Sequence, residues 1–139
     1  MSFLLDTNVL SEARKPAGNA NVKAWIASVN GTDLYLSVLV LGEVRQGIER
    51  LRRRDTQQAE VYERWLAELR RHYADRIVPI TVEIAEEWGR LNSSDPRPAI
   101  DSLLAASAKV MGLTLVTRNT ADVASTGVAV LNPFEAPAR

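Results

Sequence analysis

The sequence predicts an α/β fold, a mostly parallel sheet with helices covering both of its faces. Short apolar runs end abruptly at polar or turn residues, as strands do. Between them lie longer segments whose apolar positions recur at helical spacing. The two kinds of segment alternate along all 139 residues without repeat, low-complexity tract or linker, which fits one domain over 1–139.

Phe3-Leu4-Leu5 is an apolar run halted by Asp6-Thr7-Asn8 and reads as a buried strand. From Asn21, the positions Val22, Trp25, Ile26 and Val29 form a helical stripe closed at Asn30-Gly31. Leu34 to Ser37 is a second strand, and Val40, Val44, Ile48 and Leu51 mark the next helix. Asp55 opens a longer helix with Val61, Trp65, Leu66, Leu69 and Tyr73 on its apolar side. Arg76 to Ile80 is strand-like, and Pro79 assigns it to a strand end or sheet edge. Thr81 caps a helix carrying Ile84, Trp88 and Leu91, and Asn92 to Pro98 is a loop. A helix from Ile100 to Met111 stops at Gly112, with Ile100, Leu104, Ser107 and Met111 as its buried stripe. Leu113 to Thr117 and Val128 to Leu131 are the last strands.

Composition narrows the chemistry. The absence of cysteine excludes disulfides, thiolate nucleophiles and Cys-ligated zinc. A single histidine, His72, excludes a two-histidine ribonuclease mechanism within one chain, and its neighbours Arg70, Arg71 and Tyr73 place it on a helix surface. Neither nucleotide-binding glycine loop is present. No apolar run reaches the length of a membrane span and the start lacks a basic signal region, so the chain reads as cytoplasmic, with no membrane partner. A formal net charge of zero means that polyanion binding must come from a local basic face. Arg45, Arg50, Arg52, Arg53, Arg54, Arg64, Arg70 and Arg71 offer such a face, or simply a solvated one. Arg118, Arg14 and Lys15 lie nearer the strand ends, and Arg118 is the preferred phosphate contact.

In sheets of this kind ligands bind beyond the carboxyl ends of the strands. Asp6 stands there, as does Thr117-Arg118-Asn119. Glu43 lies early in the helix after the second strand, and Asp101 in the first turn of the helix before the Leu113 strand. Taken singly, each has a bland reading: a turn or cap residue for Asp6, a helix-dipole partner for Asp101, a solvated acid for Glu43. Helical phase places Asp101 and Glu43 on the flanks of buried stripes, and Gly47 leaves space one turn beyond Glu43. Such acids can converge on one cleft. Two carboxylates about 4 Å apart repel by roughly 4 kcal/mol at an effective dielectric near 20, so a cation would have to sit between them. Oxygen ligands with open positions suit Mg²⁺, or Mn²⁺ in its place.

At these residues the chain resembles the PIN-domain ribonucleases, in particular VapC-type toxins of bacterial toxin–antitoxin pairs. The likeness is carried, in order, by Leu5-Asp6-Thr7-Asn8-Val9-Leu10-Ser11-Glu12, by Ser37 to Val44 with Gly47, by Ile100 to Ala108, by Leu115 to Asp122 and by Val128 to Phe134. The resemblance implies a PIN-like sheet of about five parallel strands and Mg²⁺-dependent endonuclease action on RNA, with transfer RNA among the substrates of such toxins. It also implies inhibition by a small VapB-like antitoxin, and it suggests a homodimer, which surplus apolar surface around Trp65 would serve. By matching position Asp6, Glu43 and Asp101 form the acidic cluster and metal ligands, while Thr7 and Thr117 orient them. Asn119 stands where the family often has a fourth acid, and Asp122 is an additional candidate ligand or else simply the cap of a short helix before Gly127; the exchange argues for one resident metal rather than two. A phosphoacceptor receiver domain is set aside, because the third strand ends Pro79-Ile80-Thr81 and no lysine follows Lys109. The reading kept beside the nuclease is a catalytically weak PIN-like module that binds RNA or protein.

Overall fold

The structure, a computed structural model, describes residues 1–93 and 96–136. Its strands are β1 (Phe3–Leu5), β2 (Leu34–Ser37), β3 (Ile77–Val78), β4 (Thr114–Val116) and β5 (Val130–Leu131). They form one sheet in the order β3-β2-β1-β4-β5, and every pairing is parallel. The helices are α1 (Thr7–Arg14), α2 (Ala20–Ser28), α3 (Val38–Arg52), α4 (Thr56–His72), α5 (Val82–Asn92), α6 (Ala99–Met111) and the single turn α7 (Thr120–Val123).

The chain runs outward from the centre through β2 to β3, then returns by α5 and α6 to place β4 on the other side of β1. Right-handed crossovers put α1 to α4 on one face and α5 to α7 on the other. The packing follows this division: α1 lies against α3 and α3 against α4, while α5 packs on α6 and α6 on α7. Leu4, Leu5, Leu36, Leu115 and Val116 are buried between the layers, with Val9, Val22 and Val40 from one side and Ile84, Leu104 and Ala105 from the other. A satellite cluster of Val44, Ile48, Ala59 and Leu66 joins α3 to α4.

Four sequence expectations are corrected. Thr7 and Asn8, read only as the polar end of a strand, instead open a helix over Thr7–Arg14, because Val9 and Leu10 anchor it in the core. The helix from Asn21 ends at Ser28, and Asn30 instead caps a short 3₁₀ turn by accepting from the Thr32 amide. Met111 is 48% exposed, so the buried face of α6 is made of Ser102, Leu104, Ala105, Ala106, Ser107 and Ala108. Asp122 is not a cap; it lies within α7, and Asn119 holds the cap position without a side-chain bond. The loop predicted over Asn92 to Pro98 includes Ser94 and Asp95, which lie outside the described residues. Pro79 does end its strand, and β3 is a sheet edge. Among the described residues no helix is long and apolar enough to cross a membrane.

Candidate active site

The connection from β1 leads to one side of the sheet and that from β4 to the other, so the gap between these two neighbours is the topological switch point where such sheets bind ligands. Leu5 pairs with Val116, which places Asp6 and Thr117 side by side just beyond the strand ends. The Asp6 amide donates to the Val116 carbonyl at 3.0 Å, and Thr117 Oγ1 donates to Asp6 Oδ2 at 2.8 Å. Asp6 is only 6% exposed. It occupies the cap position of α1 but makes no side-chain cap bond, because its carboxylate is turned to Thr117. Its second oxygen accepts no hydrogen bond from the described residues, and no buried side-chain oxygen is left without a partner; that oxygen therefore opens to solvent.

Glu43 arrives from the opposite direction. Ser37 ends β2 and caps α3, its Oγ accepting from the Leu39 amide at 3.1 Å. This fixes the start of the helix that carries Glu43 about a turn and a half later. Thr7 Oγ1, at the first position of α1, donates to Glu43 Oε1 at 2.6 Å. Each of these acids is thus held by a threonine hydroxyl on one oxygen, leaving the other without a protein donor.

Asp101 stands in the first turn of α6 and makes no hydrogen bond or ion pair with any described residue. Burial raises its pKa above the ordinary 3.8, and the nearby charges of Asp6, Asp122 and Glu43 raise it further. The three predicted acids therefore share one electrostatic neighbourhood, and Asp122, exposed on α7, reaches it as well. Asn119 follows directly: its amide N–H donates to Thr117 Oγ1 at 3.1 Å, the same hydroxyl that holds Asp6, and the residue lines a recess with Asn8, Arg118 and Phe134. Arg118 stacks on Phe134 at 4.8 Å at the rim of that recess.

Among the described residues no three acidic, histidine or cysteine side chains are already gathered at ligand spacing. Carboxylates with no cation between them repel, so a looser spacing is what physics requires of them. The donor set nonetheless fits a hard divalent ion: carboxylate oxygens only, several without protein donors, and one acid whose charged form is disfavoured by burial and by its acidic neighbours. Asp6, Glu43 and Asp101 are the residues that would hold it, with Asp122 adjacent.

Sequence reading missed how the first turn of α6 is fixed. Pro98 offers no capping side chain, and instead Trp88 Nε1 of α5 donates to Ser102 Oγ at 2.9 Å, while that hydroxyl reaches the Pro98 and Ala99 carbonyls at 3.1 Å. Trp88 looked like plain core, and nothing local marks the bond. The basic face divides. Arg45 and Arg52 are committed to Glu49, Glu60 and Glu63, so for these two the reading as a phosphate surface is replaced by an ion-pair network between α3 and α4. His72 is exposed, as expected.

Comparison with known proteins agrees with this geometry. Toxin FitB of Neisseria gonorrhoeae is 34% identical over 137 residues, covering 95% of this chain and 98% of the relative. VapC ribonuclease Y4jK of Sinorhizobium fredii is 29% identical over 141 residues, covering 96% and 98%. The crystal structure of FitAcB from Neisseria gonorrhoeae superposes with a TM-score of 0.88 at 33% identity, covering 96% of this chain and 99% of that one. The PIN domain pattern matches residues 3–125, which takes in β1, the acids at 6, 43, 101 and 122, and both orienting threonines. With the family match, the sequence identity over nearly the whole chain and the fold in agreement, the chain belongs to the PIN domain family.

Proposed function

We propose that residues 1–139 act as one PIN-like nuclease domain, a Mg²⁺-dependent endoribonuclease that is the toxin of a toxin–antitoxin pair and works in the cytoplasm. The reading is supported by Asp6 and Thr117 joined beyond the ends of β1 and β4, and by Asp101, which has no partner among the described residues and whose carboxylate is disfavoured by burial and by the charges of Asp6, Asp122 and Glu43. Similarity to a protein named a toxin and to one named a ribonuclease supports the same reading.

Asp6 and Asp101 would hold Mg²⁺, or Mn²⁺ in its place, and Glu43 would hold it through water or orient the attacking water. The ion supplies Lewis-acid stabilisation of a phosphodiester oxygen and a readily deprotonated water. The chain's own contribution is positional. Thr117 and Thr7 fix one oxygen of Asp6 and of Glu43, which leaves the other oxygen of each acid available to a ligand without reorganising the carboxylate. Arg118 on its Phe134 platform stands where an incoming phosphate would pass. No side-chain nucleophile is required, and Asn119 serves as a neutral contact rather than a fourth ligand. A VapB-like antitoxin would mask this cleft, and its gene is expected beside this one.

The test is cleavage of total RNA with Mg²⁺ and with chelator. Cleavage should vanish with chelator and fall by about 100-fold or more in Asp6→Asn and Asp101→Asn, the scale of losing a group that acts in the transition state. Retained cleavage in either variant refutes the assignment. RNA binding without cleavage in the wild type would favour the weak-module reading, to which the neutral Asn119 beside Thr117 lends its one specific support.

A further inference from the structure

Between α1, α3 and α4 lies a cavity of about 360 Å³ that shares Thr7 and Glu43 with the acidic site. The size is that of a small-molecule site rather than a packing defect. One wall is aromatic: Tyr62 and Trp65 of α4 meet edge to face, with ring centroids 6.0 Å apart and planes at 74°. The Arg14 guanidinium lies 4.3 Å from the Tyr62 ring centre and 5.4 Å from that of Trp65, yet Arg14 is not among the lining residues. It therefore braces the rings from outside and brings positive charge to the rim. The floor is apolar, from Val44 and Ile48. The polar lining is unspent, for the Ser11 hydroxyl, the Gln58 amide and the Arg54 guanidinium make no hydrogen bond or ion pair with described residues. Gly47 faces the space, and a Cβ built there would meet nothing within 4 Å.

We propose that this cavity is a nucleobase pocket, receiving the base of a nucleotide adjacent to the phosphate held at the acids. A base has apolar faces and hydrogen-bonding edges, which matches an aromatic wall combined with an uncommitted amide and hydroxyl. Its phosphates are anionic, which matches Arg54 in the lining and Arg14 behind the aromatic wall, and the shared Thr7 and Glu43 join the cavity to the acidic site. An apolar protein segment would leave Gln58 and Arg54 covered and unpaired, at a cost that a base edge avoids. The orientation rests on the nuclease reading; the pocket itself does not.

The four nucleoside 5′-monophosphates are titrated into the metal-free protein, with inorganic phosphate as control, following tryptophan emission because Trp65 lines the cavity. At least one nucleotide should bind more tightly than phosphate. Gly47→Leu, which fills the space and replaces no acid, should weaken it by about tenfold or more, the scale of losing one base–aromatic stack. Gly47→Ala should stay close to wild type, and Gln58→Ala should change which base is preferred. Thermal melts establish that each variant is folded. Equal affinity in wild type and Gly47→Leu, or no nucleotide binding beyond that of phosphate, overturns the pocket. So does a Gly47→Leu protein that releases a copurifying protein partner while binding nucleotides normally. The two readings fail separately. RNA cleaved with the same base preference by wild type and Gly47→Leu removes the pocket and keeps the nuclease, whereas nucleotide binding without any RNA cleavage does the reverse.

Discussion

Asp101 works against the fold that carries it. Its pKa is raised by burial first and then by Asp6, Asp122 and Glu43, so the folded state holds this proton more tightly than the unfolded chain does. Without metal, stability should therefore fall as pH rises from the ordinary carboxylate value of 3.8 through the raised value, and the penalty is fully present above it. Asp101→Asn removes the charge and should raise the metal-free Tm at pH 7.5 by a few degrees, with little effect at acid pH. Calorimetry at both pH values decides this, and an unchanged Tm would mean that the acids do not feel one another. Residues of this kind were legible in the sequence, because a strand end and a helix flank are local facts. The threonine partners were expected only through family resemblance. Ser102 and the cavity walls were not legible at all, since a hydroxyl 14 residues from its indole donor, or a gap between three helices, has no periodicity to betray it.

At the level of elements, two glycines in helical surroundings carry opposite predictions. Gly112 ends α6 at φ 68°, a left-handed conformation that costs a residue with a Cβ about 1–2 kcal/mol. Gly112→Ala should destabilise by roughly 1 kcal/mol, consistent with the sequence reading of that glycine as a stop signal. Gly47 sits inside α3 with normal helical backbone and open space where a Cβ would go, so Gly47→Ala should stabilise by roughly 0.5–1 kcal/mol. Urea unfolding of the two variants should shift in opposite directions, and stabilisation by Gly112→Ala would contradict the terminus described here. Helices longer than about two turns were recovered from apolar spacing. The eight residues of α1 were not, because Val9 and Leu10 are its buried residues and too short a signal to separate from a strand's polar end. β3 was overextended for the converse reason: an apolar run says nothing about where pairing stops, and only Ile77 and Val78 pair with β2.

For the whole molecule, a cation that binds the folded site and not the unfolded chain must stabilise by linkage. Millimolar Mn²⁺ or Mg²⁺ should raise the wild-type Tm, and the rise should be absent in Asp6→Asn; an equal rise in both would move the binding elsewhere. The parallel α/β architecture was readable because every two successive strands are separated by one or two helices, whereas strand order was not, since no local pattern says that β4 returns to the far side of β1. That return has a consequence for biosynthesis. Thr117 and Asp6 are 111 residues apart yet share a hydrogen bond, and β1 at the centre of the sheet waits for a neighbour made late. A chain emerging from the ribosome holds its first acid almost at once but cannot lock it until residue 117 has cleared the exit tunnel. The nascent polypeptide therefore cannot complete the Asp6–Thr117 pair until its synthesis is nearly done.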